Sequence, residues 1–273
     1  MNNLKMFCLT LEPKHTNFIK SLDYIPVGLG NKNFSSDCLS DKNGENISNK
    51  NKYYGEYTFH YWLWKNYLSK DNENKWLGFC QYRKFWAENI KTTEVSLQNL
   101  NNHILKNIPD DMESCDVILG TPFFINQRKT MKFFKKGFSL IAANPKLLFN
   151  AKLRNIKFHF DLMHGKNNLN KAIKLLDNKN QIDFENFVND EVSFNPHNML
   201  ICKSKDILIE YYKNIFPWLQ ECEKIFGFDN LKGYGLTRIY GFLAERFMSY
   251  WFKKNVKYKE LPILFFDINS HLK

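Results

Sequence analysis

The sequence lacks most of the signatures that declare a protein's chemistry outright. It contains no G-x-G-x-x-G and no G-x-x-x-x-G-K-[ST], so neither the usual dinucleotide fingerprint nor a P-loop is supported. There is no H-E-x-x-H. No two of the six cysteines, Cys8, Cys38, Cys80, Cys115, Cys202 and Cys222, stand in a C-x-x-C spacing, which argues against a zinc ribbon or a redox pair. Several sit inside apolar runs and read as reduced core thiols of a cytosolic protein. No window reaches the roughly 18 apolar residues that a membrane span needs. The start, through Leu11, has a short apolar run but neither a long h-region nor a small-residue cleavage site, so no secretory signal is expected.

What the chain does have is aromatic mass and positive charge. Apolar residues make up 44% of its 273 residues and aromatics 16%, enough to build a real core and to exclude wholesale disorder. Lys and Arg number 39 against 28 Asp and Glu, a net charge of +11. Such an excess suits a solvated basic surface, an anionic small ligand, an anionic membrane surface or nucleic acid, and charge by itself does not choose.

Hydrophobic patterning predicts buried strands over 4–11, 76–80, 116–119 and 199–202, with a last short one over 262–266. A further apolar patch, 24–30, ends in Gly28-Leu-Gly30, and the polar stretch 31–51 reads as a loop. Tyr54, Tyr57, Tyr61, Trp64 and Leu68 recur at three- and four-residue steps and predict one helix over 52–68. Residues 123–180 look mainly helical, including 166–176, and further helices are expected over 206–223 and 236–252. With no internal repeat and no linker, the simplest reading is one mixed α/β domain with a mostly parallel sheet.

The most informative local feature is Gly78-Phe-Cys-Gln-Tyr-Arg-Lys-Phe85. A strand that ends in Gln81, Tyr82, Arg83 and Lys84 puts donors and cations where open α/β sheets bind ligands, outside the carboxyl ends of their strands. Arg83 can grip a phosphate in bidentate fashion and Lys84 can add a point charge. The bland alternative is a basic turn with an aromatic anchor. Gly28 marks a turn or lets the backbone approach a phosphate. Asn51 can cap the following helix, and Glu56 suits the helix dipole there. His164 and Asp161, in Phe158-His-Phe-Asp-Leu-Met-His-Gly165, are candidate general bases, as are Asp190 and Glu191 before the 199–202 strand. Arg238 and Glu245 lie seven residues apart, two turns along one helix face, and suit an ion pair or a ligand clamp.

In order along the chain, these segments resemble a family of bacterial polysaccharide-biosynthesis proteins catalogued as domain of unknown function forty-four twenty-two and associated with capsule and lipopolysaccharide glycosyltransferases. The likeness rests on Asp41-Lys-Asn-Gly-Glu-Asn-Ile-Ser48, Asn51, Tyr54-Gly-Glu-Tyr-Thr58, Tyr61-Trp-Leu-Trp-Lys-Asn66 and Gly78–Phe85. His164-Gly165, Asn198-Met-Leu-Ile201 and Arg238-Ile-Tyr-Gly-Phe-Leu-Ala-Glu-Arg246 follow, so the match spans about residues 4–255. There are departures. Gln81 replaces the family's usual His and Lys84 its usual Arg. The family's H-x-x-x-D-L becomes His164-Gly-Lys-Asn-Asn168-Leu169, with an amide where the acid stands.

The resemblance implies a GT-A-like single domain over 1–273, with a nucleotide-sugar-binding half about 1–125 and a helix-rich, acceptor-side half about 126–273. It implies a donor that is a nucleotide-diphosphate sugar, a UDP-sugar such as UDP-galactofuranose first among them. It also implies a polysaccharide or lipid-linked glycan acceptor at the cytoplasmic face of a membrane. Donor contacts are expected from Gly28, Asn46, Asn51, Glu56, Gln81, Tyr82, Arg83 and Lys84. Catalysis is expected from His164, Asp161, Asp190 or Glu191, and an acceptor or structural clamp from His197, Asn198, Arg238, Glu245 and Arg246. Mn or Mg would be compatible, but no Asp-x-Asp follows a strand. Three other readings stay open: a transferase moving a phosphoryl-type group onto the same kind of glycan, a non-catalytic scaffold, and a basic nucleic-acid module. The last would want aromatics interleaved with Lys and Arg on one exposed face, whereas here they fall on apolar stripes, so nucleic acid is not an expected partner.

Overall fold

The computed structural model describes residues 3–73, 75–87, 94–127, 141–142 and 144–272. Strands β1 (Leu4–Thr10), β2 (Ile25–Gly28), β3 (Leu39–Ser40) and β4 (Trp76–Gln81) lie side by side, all parallel, in the order β3-β2-β1-β4. Beyond β4 the sheet continues through β9 (Leu200–Cys202), β6 (Val117–Gly120) and β10 (Tyr258–Leu261). Of the six joins along this path, four are parallel; β9 runs against both neighbours. β5 (Lys84–Trp86) folds back on β4 and pairs with β11 (Ile263–Phe265), both joins antiparallel. β7 (Phe123–Phe124) and β8 (Ser193–Phe194) form a separate two-stranded ribbon. The expected mostly parallel sheet flanked by helices is therefore what the chain builds.

β1 is buried along its whole length because both faces of the sheet are covered. Phe7, Leu9, Leu77 and Phe79 point to the helical side, and Met6, Cys8 and Cys80 point to the other, as the two-residue strand period requires. The opposite face, that of Met6, Cys8 and Cys80, carries α1 (Thr16–Ser21), and the helical side carries α2 (Asn51–Tyr54), α3 (Tyr57–Trp62), α4 (Ile156–His164), α5 (Asn168–Ile173), α6 (Asn178–Asp190), α7 (Lys205–Phe226), α8 (Tyr234–Thr237) and α9 (Ile239–Asn255). α9 is buried on nearly every face down to Phe252, so apolar residues surround it instead of forming a stripe. All six cysteines are free and buried.

Four expectations need correction. The helix over 52–68 is broken: α2 ends at Gly55, and α3 begins at Tyr57 and runs on as a π-type turn, Leu63–Tyr67. Gly55 has φ +60°, and a Cβ there would run into the Arg238 guanidinium. The helix over 236–252 is likewise two pieces, α8 and α9, parted at Arg238. The helix over 166–176 is confined to α5, because Asn167 at its head is left-handed (φ 66°). Of the mainly helical stretch 123–180, residues 145–148 and 151–153 are 3-10 turns and Phe123–Phe124 is a strand, while 128–140 and 143 lie outside the described residues.

Candidate active site

The carboxyl ends of β1 and β4 and the start of the antiparallel β9 meet at one edge of the sheet, since Leu9 pairs with Gln81 and Gly78 with Ile201. A cleft of about 310 Å³ opens there. Tyr82 and Arg83 form the tight turn between β4 and β5, and Lys84 pairs back across to Gln81. The turn is pinned from behind: the Phe266 amide donates to Arg83 O at 3.2 Å and the Ile268 amide to Tyr82 O at 3.1 Å. The expected polar cluster at a strand end is thus a hairpin, and Lys84 is the member folded inward.

Lys84 Nζ donates to Gln81 Oε1 at 3.1 Å, and Gln81 Nε2 donates in turn to His197 O at 2.8 Å. Burial lowers the Lys84 pKa, an effect that the carboxylates of Glu56 and Glu245 only partly offset. Arg83 is more exposed, with 58% of its side chain in solvent, and pairs with Asp267 at 3.2 Å. On the far wall, Arg238 reaches Glu56 at 3.3 Å. The helix break at Gly55 is what turns Glu56 toward the cleft, and Asn51 braces it by donating to Gly55 O at 2.9 Å and to Thr58 Oγ1 at 3.1 Å.

His197 and Asn198 both have positive φ, 77° and 54°, a rare pair for non-glycine residues. The surroundings hold them there. The His197 amide donates to Glu245 Oε1 at 2.5 Å, its carbonyl accepts from Gln81, and Asn198 Nδ2 donates to Gly241 O at 3.2 Å. Such local strain persists only where neighbours over-determine it, and it concentrates at functional sites. Burial, and then the Lys84 charge, push the His197 pKa down to about 3, so its imidazole is neutral. Among the described residues no three His, Cys, Asp or Glu side chains group as metal ligands do. The cations that line the cleft are Arg83, Lys84 and Arg238.

The family model described as "Domain of unknown function (DUF4422)" matches residues 8–256. The chain belongs to this family. Its fold is shared with a solved structure described as the WbbM bifunctional glycosyltransferase in its apo form, with a TM-score of 0.69 and 20% identity. That likeness covers 97% of this chain and 45% of the other, so this family member spans less than half of its structural neighbour. No curated protein matches the chain.

Nine of the thirteen residues lining the cleft of this family member were expected from its sequence: Glu56, Gln81, Tyr82, Arg83, Lys84, His197, Asn198, Arg238 and Glu245. Arg238 and Glu245 do not pair with each other. Arg238 caps α9 from outside and turns to Glu56, while Glu245 pairs with Arg246. Gly28 does not line the cleft, because the Phe34 ring lies where its Cβ would be. Asn46 is spent on its own loop, donating to Lys42 O at 2.7 Å and Gly44 O at 2.8 Å.

The expected bases fall elsewhere. Asp161 binds Lys157 Nζ and the Asn167 amide, both at 2.9 Å, and so closes the end of α4. Asp190 and Glu191 are exposed at the end of α6. His164 lines an adjoining cavity, its ring stacked on Phe242 at 4.0 Å. Sequence reasoning missed Tyr234 and Phe242 in the cleft wall; the signal for Tyr234 was an aromatic held between two glycines, Gly233 and Gly235. It also missed Asp41 as more than a motif letter. Asp41 is fully buried just after β3, where neither carboxylate oxygen makes a well-aligned hydrogen bond and only the nearby Thr58 hydroxyl and backbone amides ease its burial. Burial drives its pKa up to about 6.

Proposed function

We propose that this family member is a glycosyltransferase that seats a nucleotide-diphosphate sugar, most simply a UDP-sugar, with its diphosphate against Lys84, Arg83 and Arg238. The observation that carries this reading is Lys84. It is an inward-facing lysine with no salt bridge among the described residues, at the strand ends where this class of sheet binds ligands. An anionic ligand supplies the counter-charge that the protein withholds, and the leaving diphosphate, whose charge grows as the glycosidic bond breaks, gains most. Transfer would pass the sugar, with inversion, to a glycan or lipid-linked acceptor of the capsule or lipopolysaccharide kind. A net charge of +11 suits work beside an anionic membrane on its cytoplasmic face. No described helix is long and apolar enough to cross a membrane.

A thermal-shift panel of UDP-, GDP-, CMP- and dTDP-sugars, with and without Mn or Mg, tests the reading, since a ligand of the folded state must raise the melting midpoint. A UDP-sugar is expected to shift wild type and to lose that shift in Lys84→Met. Turnover of the donor is expected to fall by about 10²–10³-fold in the same variant, the usual loss for one group aimed at developing charge. A wild-type chain that no nucleotide sugar shifts, or a Lys84→Met chain that turns over donor normally, ends the proposal.

A further inference from the structure

Beside the cleft lies a second cavity of about 540 Å³, and the two share a wall made of His197, Tyr234, Phe242 and Glu245. The chemistry changes across that wall. The first cavity is lined by cations and carboxylates. The second is largely apolar, with Met163, Phe194, Pro196 and Leu236 in its lining and the imidazoles of His159 and His164 among its polar groups.

Tyr234 stands at the lip of both spaces with 72% of its surface exposed. It is presented by a single helical turn that follows Gly233 (φ 78°), and its ring meets Phe242 edge-on at 5.7 Å. A ring so exposed contributes little to the core, yet it stands between two cavities. An aromatic floor with a few hydrogen-bonding groups at its rim is the form of a site for a ligand that is apolar on one face and polar at its edge. A pyranose or furanose ring has that character, with C–H groups on its face and hydroxyls around it.

Glu245 sits in the shared wall and cannot swing out of it. One carboxylate oxygen accepts the His197 amide at 2.5 Å and the other accepts from Arg246 Nη1. Arg246 is itself fixed: it is 1% exposed, lies over the Phe194 ring at 4.0 Å, and donates from Nη2 to His159 Nδ1 at 3.2 Å. The carboxylate is therefore held within the wall that faces both cavities.

We propose that the second cavity binds the acceptor saccharide, its terminal ring stacked on Tyr234 and Phe242, and that Glu245 is the base that receives the proton of the attacking hydroxyl. The proposal rests on the donor reading above. The acceptor oxygen forms a bond to the anomeric carbon, the bond from that carbon to the diphosphate oxygen breaks, and that oxygen keeps the electron pair beside Lys84 and Arg83. The hydroxyl proton passes to the Glu245 carboxylate and from there to solvent.

Octyl glucoside, octyl galactoside and octyl N-acetylglucosaminide, titrated calorimetrically into the full chain below their micelle concentrations, test the cavity. At least one is expected to bind saturably, and Leu236→Trp, which fills the cavity, is expected to abolish that binding. Should Leu236→Trp fail to fold, Tyr234→Ala, a surface change, is expected to weaken it about tenfold. Binding by none of the three, or binding that both folded variants leave intact, overturns the site. For the base, Glu245→Gln is expected to cut transfer to the bound glycoside more than tenfold, with the glycoside KM within about threefold of wild type and donor binding by thermal shift unchanged. Transfer above a tenth of wild type, or a loss that appears in KM instead of kcat, overturns that role. Failure of the donor reading is a separate result: it appears as a wild-type chain that no nucleotide sugar shifts, whatever the glycosides do.

Discussion

Two lysines rise from opposite ends of the same sheet, and they have been treated in opposite ways. Lys5, near the start of β1, donates to Asp71 at 2.8 Å and Tyr67 at 3.2 Å and lies 2.9 Å from Glu73. Burial alone would lower its pKa, but these hydrogen bonds outweigh burial and the net direction is upward. Lys84, at the carboxyl end, has Gln81 Oε1 as its hydrogen-bond acceptor, and there burial wins and the pKa falls. The first arrangement is closed: charge, counter-charge and donors are accounted for within the protein. The second is left open. A lysine held short of partners weakens the fold, and such a deficit makes sense where a ligand completes it.

The comparison breaks most readily through a matched pair of substitutions. Lys84→Met removes the open cation and is expected to cost 10²–10³-fold in donor turnover while leaving the urea midpoint nearly unchanged, because it strands no charge and only the Gln81 amide oxygen loses a donor. Lys5→Met is expected to do the reverse. It strands the Asp71 carboxylate, whose side chain is 4% exposed, so stability should fall by about 3 kcal/mol while turnover per folded molecule stays within twofold. If Lys5→Met abolishes turnover without lowering the urea midpoint, or Lys84→Met unfolds the chain, the contrast is wrong.

Asp41 sharpens the contrast from the acidic side. Its folded pKa of about 6 lies above the ordinary 3.8, so its stabilising contribution is fully present below pH 4 and is lost as pH rises through 6. The difference amounts to roughly 2–3 kcal/mol. Asp41→Asn should therefore gain stability relative to wild type by about that much between pH 4 and pH 7, measured by urea unfolding at both. A pH-independent difference between the two chains would show that the carboxyl is not buried unpaired.

Much of this was legible in the sequence, and the reasons differ from residue to residue. Gln81 to Lys84 could be read because a run of apolar residues ending abruptly in donors marks a strand end, and strand ends of such sheets bind ligands. The break at Gly55 could not, because Tyr54, Tyr57 and Tyr61 keep the helical step across it and only the tertiary approach of Arg238 shows that the chain turns. Spacing put Arg238 and Glu245 on one helix face, but the helix begins one residue after Arg238, so the face is not shared. Asp161, Asp190, Glu191 and Glu245 look alike as bases in one dimension. They are separated by place: Asp161 and Glu245 each bind a cation and a backbone amide, but only Glu245 does so in a cleft wall, while Asp161 closes the end of α4 and Asp190 and Glu191 face solvent.

The smallest expected effect is the most discriminating. Arg83 stood beside Lys84 as an equal in the sequence, yet its side chain is more than half exposed and already tied to Asp267. Exposed ion pairs contribute at most about 1 kcal/mol and are screened by salt. Arg83→Ala should therefore raise the donor KM only about threefold to fivefold, and the gap between variant and wild type should close as salt rises from 0.05 to 0.5 M. The loss in Lys84→Met, at a partly desolvated position, should persist across that range. Burial ranks the two cations only if both behaviours appear. An Arg83→Ala loss as large as that of Lys84→Met, and as indifferent to salt, would mean that the hairpin closes over the donor and buries the guanidinium on binding, with Asp267 released.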